Sequence, residues 1–122
     1  MKSLIIEERQ VGDVTVLDLN GDVRIDGGSV ALQRAIRRLL EMGRNQVLLN
    51  LAGVNYVDSS GIGELIAGHL SLDKSGGRIK LLHLTRRIQE LMVITKLLTV
   101  FDVYEDESEA LKSFKSRALE PA

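Results

Sequence analysis

The stretch that decides the fold is residues 54–63, VNYVDSSGIG. It joins an apolar run to an amphipathic pattern, and Asp58, Ser59 and Ser60 are all residue types that cap helices well. We predict that residues 53–61 form a loop and that this loop opens a helix. The residues expected on the buried face of that helix are Ile62, Leu65, Ile66, His69 and Leu70.

Strand and helix patterns alternate upstream of this stretch. Residues 47–51 are almost all apolar, which predicts a strand covered on both faces. An amphipathic helix precedes this strand, with Ser29 as its predicted N-cap and Gly43 as its stop. Two β segments, 4–6 and 14–19, come first, and we predict that they pair as a hairpin with a loop longer than two residues.

The alternation continues downstream. We predict a strand at 79–82, a helix capped by Thr85, a short edge strand at 100–104 and a last helix at 107–114. Two strands followed by alternating helices and strands predict an α/β fold, with a mixed β-sheet of about five strands packed with about four α-helices. Right-handed crossovers would place the central helices on one side of the sheet unless the strand order switches.

Length and composition predict one domain. The chain has 122 residues, 44% of them hydrophobic, which is enough for a core of its own. No Pro-rich or Ser-rich linker divides it, so we predict a single domain over 1–118 and a disordered tail at 119–122. Sixteen basic and 17 acidic residues give a net charge of −1, and only 3% of residues are aromatic. This balance argues against nucleic acid as a partner.

The sequence also predicts the compartment. There is no cysteine, which fits a reducing cytoplasm and excludes disulfides and thiolate ligands. The first ten residues include four charged ones and no long apolar run, so they do not form a signal peptide. No uncharged apolar run approaches the ~20 residues that span a bilayer. We predict a soluble, cytoplasmic protein without a membrane span.

The sequence shows no arrangement of residues that is typical of a catalytic site. A serine nucleophile needs a base within hydrogen-bond reach, yet His69 lies about 15 Å from Ser59 along the predicted helix at ~1.5 Å per residue. The only other histidine is His83, and the two match no metal-ligand spacing. The glycines at 61 and 63 lack the third glycine of a dinucleotide loop. We therefore predict no catalytic residue, no metal and no cofactor.

Two interpretations of the segment Asp58-Ser59-Ser60-Gly61 remain open. The first is helix capping, which needs only one of the three polar side chains. The second is phosphorylation of a serine: a phosphate at the start of a helix lies beside free backbone N–H groups and the positive end of the helix dipole. The domain could then be modified without unfolding, and a docked partner would meet new charge.

These segments resemble the STAS domain proteins, and among them the bacterial anti-sigma factor antagonists. The resemblance covers about residues 3 to 115. The stretch at 54–63 supports it most strongly, because the Asp-Ser-Ser-Gly element is specific in that context. The other segments that match the family are residues 14–21, 47–51, 76–81 and 93–101.

The resemblance implies partner switching. The unmodified antagonist would bind an anti-sigma factor that is also a serine kinase, and so release a sigma factor. The kinase, with ATP bound in its own site, would phosphorylate the antagonist, and a serine phosphatase would reset it. Family members accept phosphate on the serine after the aspartate, which is Ser59 here, with Ser60 as second choice. The residues expected to bind the partner are Asp22, Arg24, Asp58, Ser59, Ser60, Gly61, Ile62 and Glu64.

One position departs from the family pattern. The antagonists commonly carry two acidic residues separated by an apolar one after the glycine that corresponds to Gly21, whereas this chain has Asp22-Val23-Arg24. Arg24 reverses one charge of the docking surface and leaves the kinase partner open. A second class of function is kept as an alternative: a STAS interaction subunit of a signalling scaffold or of a lipid ABC transporter.

Overall fold

The computed structural model describes the backbone of residues 3–118 and the side chains of residues 3–115. The predicted tail at 119–122 lies outside this range. Within it, the chain forms the α/β fold that the sequence predicts, with five strands and four α-helices. These elements are β1 (Ile5–Val11), β2 (Val14–Val23), α1 (Gly28–Glu41), β3 (Gln46–Val57), α2 (Ser59–Lys74), β4 (Arg78–Leu82), α3 (Arg86–Ile94), β5 (Val103–Tyr104) and α4 (Glu107–Ala118).

The five strands form one mixed sheet in the order β1-β2-β3-β4-β5. β1 pairs antiparallel with β2, and the remaining neighbours are parallel. The hairpin loop is shorter than predicted, because β1 runs to Val11 and β2 begins at Val14. A two-residue turn is possible here because Gly12 takes a φ of +60°, which costs little without a side chain.

The sheet has a different cover on each face. The strand order never switches, and α1, α2 and α3 all contribute to one core, with Leu39, Leu65 and Met92 among its members. α4 covers the other face, where Phe114 packs in a smaller core with Leu48 of β3. The apolar run at 47–51 is thus explained, since its side chains point alternately into the two cores.

β3 is longer than predicted, and this difference positions the candidate site. The expected loop at 53–61 is wrong, because residues as far as Val57 continue to pair with β2. Two irregularities in the β2–β3 register interrupt the regular alternation that sequence analysis relies on. As a result, Asp58 lies directly between the end of a long central strand and the first turn of α2.

The buried face of α2 also differs from the prediction. Leu70 is 52% exposed, whereas Leu72 is fully buried. The inward residues are Gly61, Leu65, Gly68 and Leu72, spaced four, three and four apart. A search for apolar side chains cannot detect glycines that bring a helix close to its neighbours; a Cβ on Gly68 would lie 2.9 Å from Ile36 Cδ1 of α1.

Smaller corrections concern element ends. Ser29 is buried in the first turn of α1 instead of capping it, and Gly27 is the N-cap. Gly43 does end α1, with a φ of +75°, and Thr85 caps α3 by accepting a hydrogen bond from Ile88 N. The predicted edge strand at 100–104 shrinks to β5, because the chain before it forms a 3₁₀ turn over Leu97–Thr99.

Candidate functional site

Asp58 fastens the start of α2 to a neighbouring loop. It is the N-cap of α2, and its Oδ1 accepts hydrogen bonds from the backbone N–H of Gly61 at 3.0 Å and from the hydroxyl of Ser60. Its Oδ2 accepts a third hydrogen bond, from the backbone N–H of Ile25 at 2.9 Å. Ile25 follows β2, so a single carboxylate joins the two chain segments that leave the C-terminal ends of β2 and β3.

These hydrogen bonds stabilise the ionised form of the carboxylate. The Ser60 hydroxyl, followed by the backbone N–H of Ile25 and those of Gly61 and Ser60, lowers the pKa of Asp58 from its ordinary value of 3.8 to about 2. At neutral pH Asp58 therefore carries a full negative charge beside Ser59.

The lowered pKa predicts a pH-dependent contribution to stability. Because the pKa of Asp58 is lower in the folded state, its contribution is fully present above about pH 4 and is lost as the pH falls towards 2. We expect Asp58→Asn to unfold at lower urea concentration than the unchanged protein at pH 7, and the gap to narrow between pH 4 and pH 2. Urea titrations across that range measure the gap, and a gap that stays constant would contradict the role assigned to the carboxylate.

The two serines of the segment have different environments. Ser60 is half-buried, and its hydroxyl donates to Asp58. Ser59 is exposed, is the first residue of α2, and its hydroxyl makes no hydrogen bond to any residue in the described part of the chain. A hydroxyl that must attack a phosphoryl group has to be accessible, and of these two Ser59 meets that requirement.

Gly61 holds the first turn of α2 tightly against the sheet. A Cβ at this position would lie 2.6 Å from Val57 Cγ1 and 2.7 Å from the backbone oxygen of Val23. No side chain fits there without moving the strand ends. The glycine of the Asp-Ser-Ser-Gly segment thus fixes how far Ser59 stands from β2 and β3.

Arg24 is held in place by two neighbours. Its Nε lies 3.2 Å from Oδ2 of Asp22, and its guanidinium stacks over the ring of Tyr56 at 3.9 Å from the ring centre. Asp22 and Tyr56 are paired positions of β2 and β3. The positive charge that departs from the family pattern is therefore paired within the chain instead of standing free on the surface.

Two exposed residues lie beside the predicted partner-binding residues, and some of the predicted ones are partly or fully buried. Ile25 is 74% exposed beside Asp58, and Tyr56 is 36% exposed beneath Arg24. Sequence analysis did not select either, because a single apolar side chain in a surface loop is common and carries no functional signal by itself. Among the predicted partner-binding residues, Gly61 is buried, Ile62 packs partly against the main core and Glu64 is half-buried.

His69 lies ten residues after Ser59 on α2. The ring of His69 packs edge-on against Phe101, with ring centres 5.4 Å apart. No group of three or more His, Cys, Asp or Glu side chains within residues 3–115 could hold a metal ion. Over the described helices, none has both the length and the apolar composition needed to cross a membrane.

Comparison with known proteins identifies the family. The STAS domain family profile matches residues 6–110, and the chain belongs to this family. A relative from Thermotoga neapolitana, named as an anti-sigma factor antagonist homologue, is 28% identical over 107 residues, which cover 88% of this chain and 95% of the relative.

Solved structures agree with the fold. An anti-sigma factor antagonist of Thermotoga maritima superposes with a TM-score of 0.80 at 22% identity, over 90% of this chain and 94% of that one. The antagonist SpoIIAA in its unphosphorylated form gives a TM-score of 0.78 at 18% identity, over 92% and 97%. The phosphorylated form of Bacillus SpoIIAA gives 0.71 at 19% identity, over 89% and 98%.

Proposed function

We propose that this protein is an anti-sigma factor antagonist whose binding to an anti-sigma factor is switched off by phosphorylation of Ser59. The observation that carries the proposal is the contrast between the two serines: Ser59 has an exposed, unbonded hydroxyl within the described residues, and Ser60 is engaged by Asp58. The names of its relatives, which are similar over most of their length, support the same role.

The chemistry is supplied by the partner. The anti-sigma factor kinase brings ATP, and the γ-phosphoryl group moves from the β-phosphate oxygen to Oγ of Ser59. The serine proton passes to a base on the kinase, and ADP leaves. The contribution of this chain is to present the hydroxyl at a rigid helix start, which Asp58 and Gly61 fix against the sheet. A serine phosphatase returns the serine by hydrolysis. We place this cycle in the cytoplasm.

Phosphorylation would change the docking surface without unfolding it. The phosphate would stand at the N-terminus of a 16-residue helix, where backbone N–H groups and the dipole favour negative charge. Asp58 beside it is already ionised, so the added charge of roughly −2 would create a strongly acidic patch. The surface around Ser59 would then be more acidic, which would weaken binding of the kinase. The partner-binding residues that we assign to this surface are Asp22, Arg24, Asp58, Ser60, Gly61, Ile62 and Glu64.

Phosphate transfer in vitro tests the site assignment. With an anti-sigma factor kinase from the same organism and ATP, we expect Ser59→Ala to accept no phosphate, because the attacking oxygen is removed. Ser60→Ala is the matched control and should still be modified, since its hydroxyl is not the nucleophile. Intact-mass spectrometry reads both results. Unchanged phosphorylation of Ser59→Ala, or loss in Ser60→Ala alone, would overturn the assignment.

A further inference from the structure

α4 covers its face of the sheet with few buried side chains. Within residues 107–115, where the side chains of this helix are described, Ala110 and Phe114 are the buried ones. The smaller core that they join has six buried residues, against 19 in the main core. A groove of about 710 Å³ between α4 and the β1–β2 turn leaves part of this face unfilled. The apolar contribution that holds α4 on the sheet is therefore small.

A charged side chain lies buried under α4. The side chain of Lys80, on β4, is only 4% exposed. Its ammonium nitrogen lies 5.0 Å from the ring centre of Phe114 on α4 and 5.5 Å from that of Tyr104 on β5. Lysine side chains are rarely buried to this degree. When α4 lies on the sheet, it thus encloses a positive charge.

The ammonium of Lys80 recovers only part of the hydration that it loses. Among the described residues it donates one hydrogen bond, to Oγ of Ser113 at 2.8 Å, and this neutral hydroxyl donates its own proton to the backbone oxygen of Ala110. The carboxylate of Asp102 lies 3.7 Å away and is 63% exposed, so water screens the attraction. The two aromatic rings offset some of the cost. The remainder favours a state in which α4 has left the sheet and Lys80 is hydrated.

The N-terminal end of α4 is tied to the sheet. Glu107, the first residue of the helix, accepts hydrogen bonds from the guanidinium of Arg9 on β1 at 2.8 and 3.1 Å. Arg9 is fixed in turn by Asp18 of β2. The chain just before α4 is also held, because β5 ends at Tyr104 and pairs with β4. α4 can therefore leave the sheet from its C-terminal side while its first turn stays attached.

We propose that α4 is a movable cover, which leaves and returns to the sheet while the rest of the fold stays intact, and that the buried charge of Lys80 sets how often it opens. Ser59 begins α2, whose core lies on the other face of the sheet. The inference therefore does not rest on the proposed function. The open state exposes an apolar face of the sheet that is formed by Val14, Val16, Leu48 and Leu82.

Amide hydrogen exchange of the unchanged protein tests whether α4 opens by itself. A free helix of 12 residues is marginally stable in water. Once α4 has left the sheet it should therefore unfold and exchange its amide protons. We expect the protection factors of residues 110–115 to be about tenfold or more below those of residues 47–51 in β3. Equal protection of the two segments would contradict independent opening.

Thiol labelling measures the opening at a single buried position. The chain has no cysteine, so Ala110→Cys introduces one thiol under α4 and Val54→Cys introduces one in the main core. Both native side chains are fully buried. At reagent concentrations to which the labelling rate is proportional, the rate measures the population of the open state. We expect Ala110→Cys to react about tenfold or more faster than Val54→Cys.

Lys80→Met tests the role of the buried charge. Methionine fills a similar volume without a charge, so α4 should open less often, and the labelling of Ala110→Cys should slow by about tenfold or more. Lys112→Met is the matched control, because it makes the same change at an exposed position of α4. It should alter the labelling rate by less than about twofold. A urea titration of each variant checks that it is folded.

Two results of the labelling experiment would overturn the proposal. Equal rates for Ala110→Cys and Val54→Cys would show that α4 opens only when the whole domain unfolds. Labelling that Lys80→Met leaves unchanged or accelerates would show that the ammonium does not loosen α4. If Ala110→Cys does not fold, the effect of Lys80→Met is measured instead on the amide protection of residues 110–115, which should rise by the same factor.

Discussion

Ser59→Asp is expected to weaken binding of the anti-sigma factor by about tenfold or more, because it places a fixed negative charge at the centre of the proposed docking surface. The effect should be strong, since Asp58 next to it stays ionised with a pKa of about 2. Isothermal titration calorimetry with the purified partner measures the change in Kd.

Ser59→Asn is the matched control for this experiment. Asparagine has nearly the same size and shape as aspartate and also caps helices, but it carries no charge. If the negative charge causes the loss of binding, the asparagine variant should bind the anti-sigma factor far more tightly than the aspartate variant does. Equal loss in both variants would mean that bulk, not charge, controls the interface, and equal retention would place Ser59 outside it.

Leu72→Ala is expected to lower the free energy of unfolding by about 2–5 kcal/mol, because it leaves a cavity in the main core. Leu72 is fully buried near the end of α2. Leu70→Ala makes the same chemical change two residues earlier on the same helix, at a side chain that is 52% exposed. It should alter stability by no more than about 0.5 kcal/mol.

Urea denaturation of the two leucine variants decides between two orientations of α2. The sequence pattern placed Leu70 on the buried face, whereas the structure turns Leu72 and Gly68 inward. A large loss for Leu70→Ala with a small one for Leu72→Ala would show that the helix is rotated relative to the structure described above. The orientation of Ser59 on the first turn of the helix would then be wrong as well.

Much of the fold could be predicted because local and long-range signals agree. The run at 47–51 is apolar on both faces because β3 lies in the middle of a sheet with a core on each side. Gly43 and Thr85 mark helix ends through backbone conformation and capping, which are local properties. Sequence patterns report such properties directly.

The misses have long-range causes. β3 continues through Gly53 to Val57 because β2 is there to pair with it, although these residues lack a strand-like alternation. The inward face of α2 depends on Gly61 and Gly68. A side chain at either position would collide with Val23 or Ile36, which approach the helix there. No periodicity of apolar residues reveals a contact made by an absent side chain.

The candidate site was predicted in composition but not in arrangement. The residue types of the Asp58–Gly61 segment mark a helix start and a candidate phosphoacceptor, and the resemblance to STAS proteins selects Ser59. The link from Asp58 to Ile25 and the stacking of Arg24 on Tyr56 join residues more than 30 positions apart. Such pairs form only when the strands are in register, so the sequence alone could not show that Arg24 is paired.

The most direct test of the central claim is phosphopeptide mass spectrometry of this protein isolated from its own cells during growth and under stress. We expect phosphate on Ser59, with an occupancy that changes between the two conditions, and no phosphate on Ser60. A Ser59 that stays unmodified in every condition would contradict this expectation. The segment would then act as a helix cap, and the chain would be better described as an interaction subunit of a scaffold or transporter.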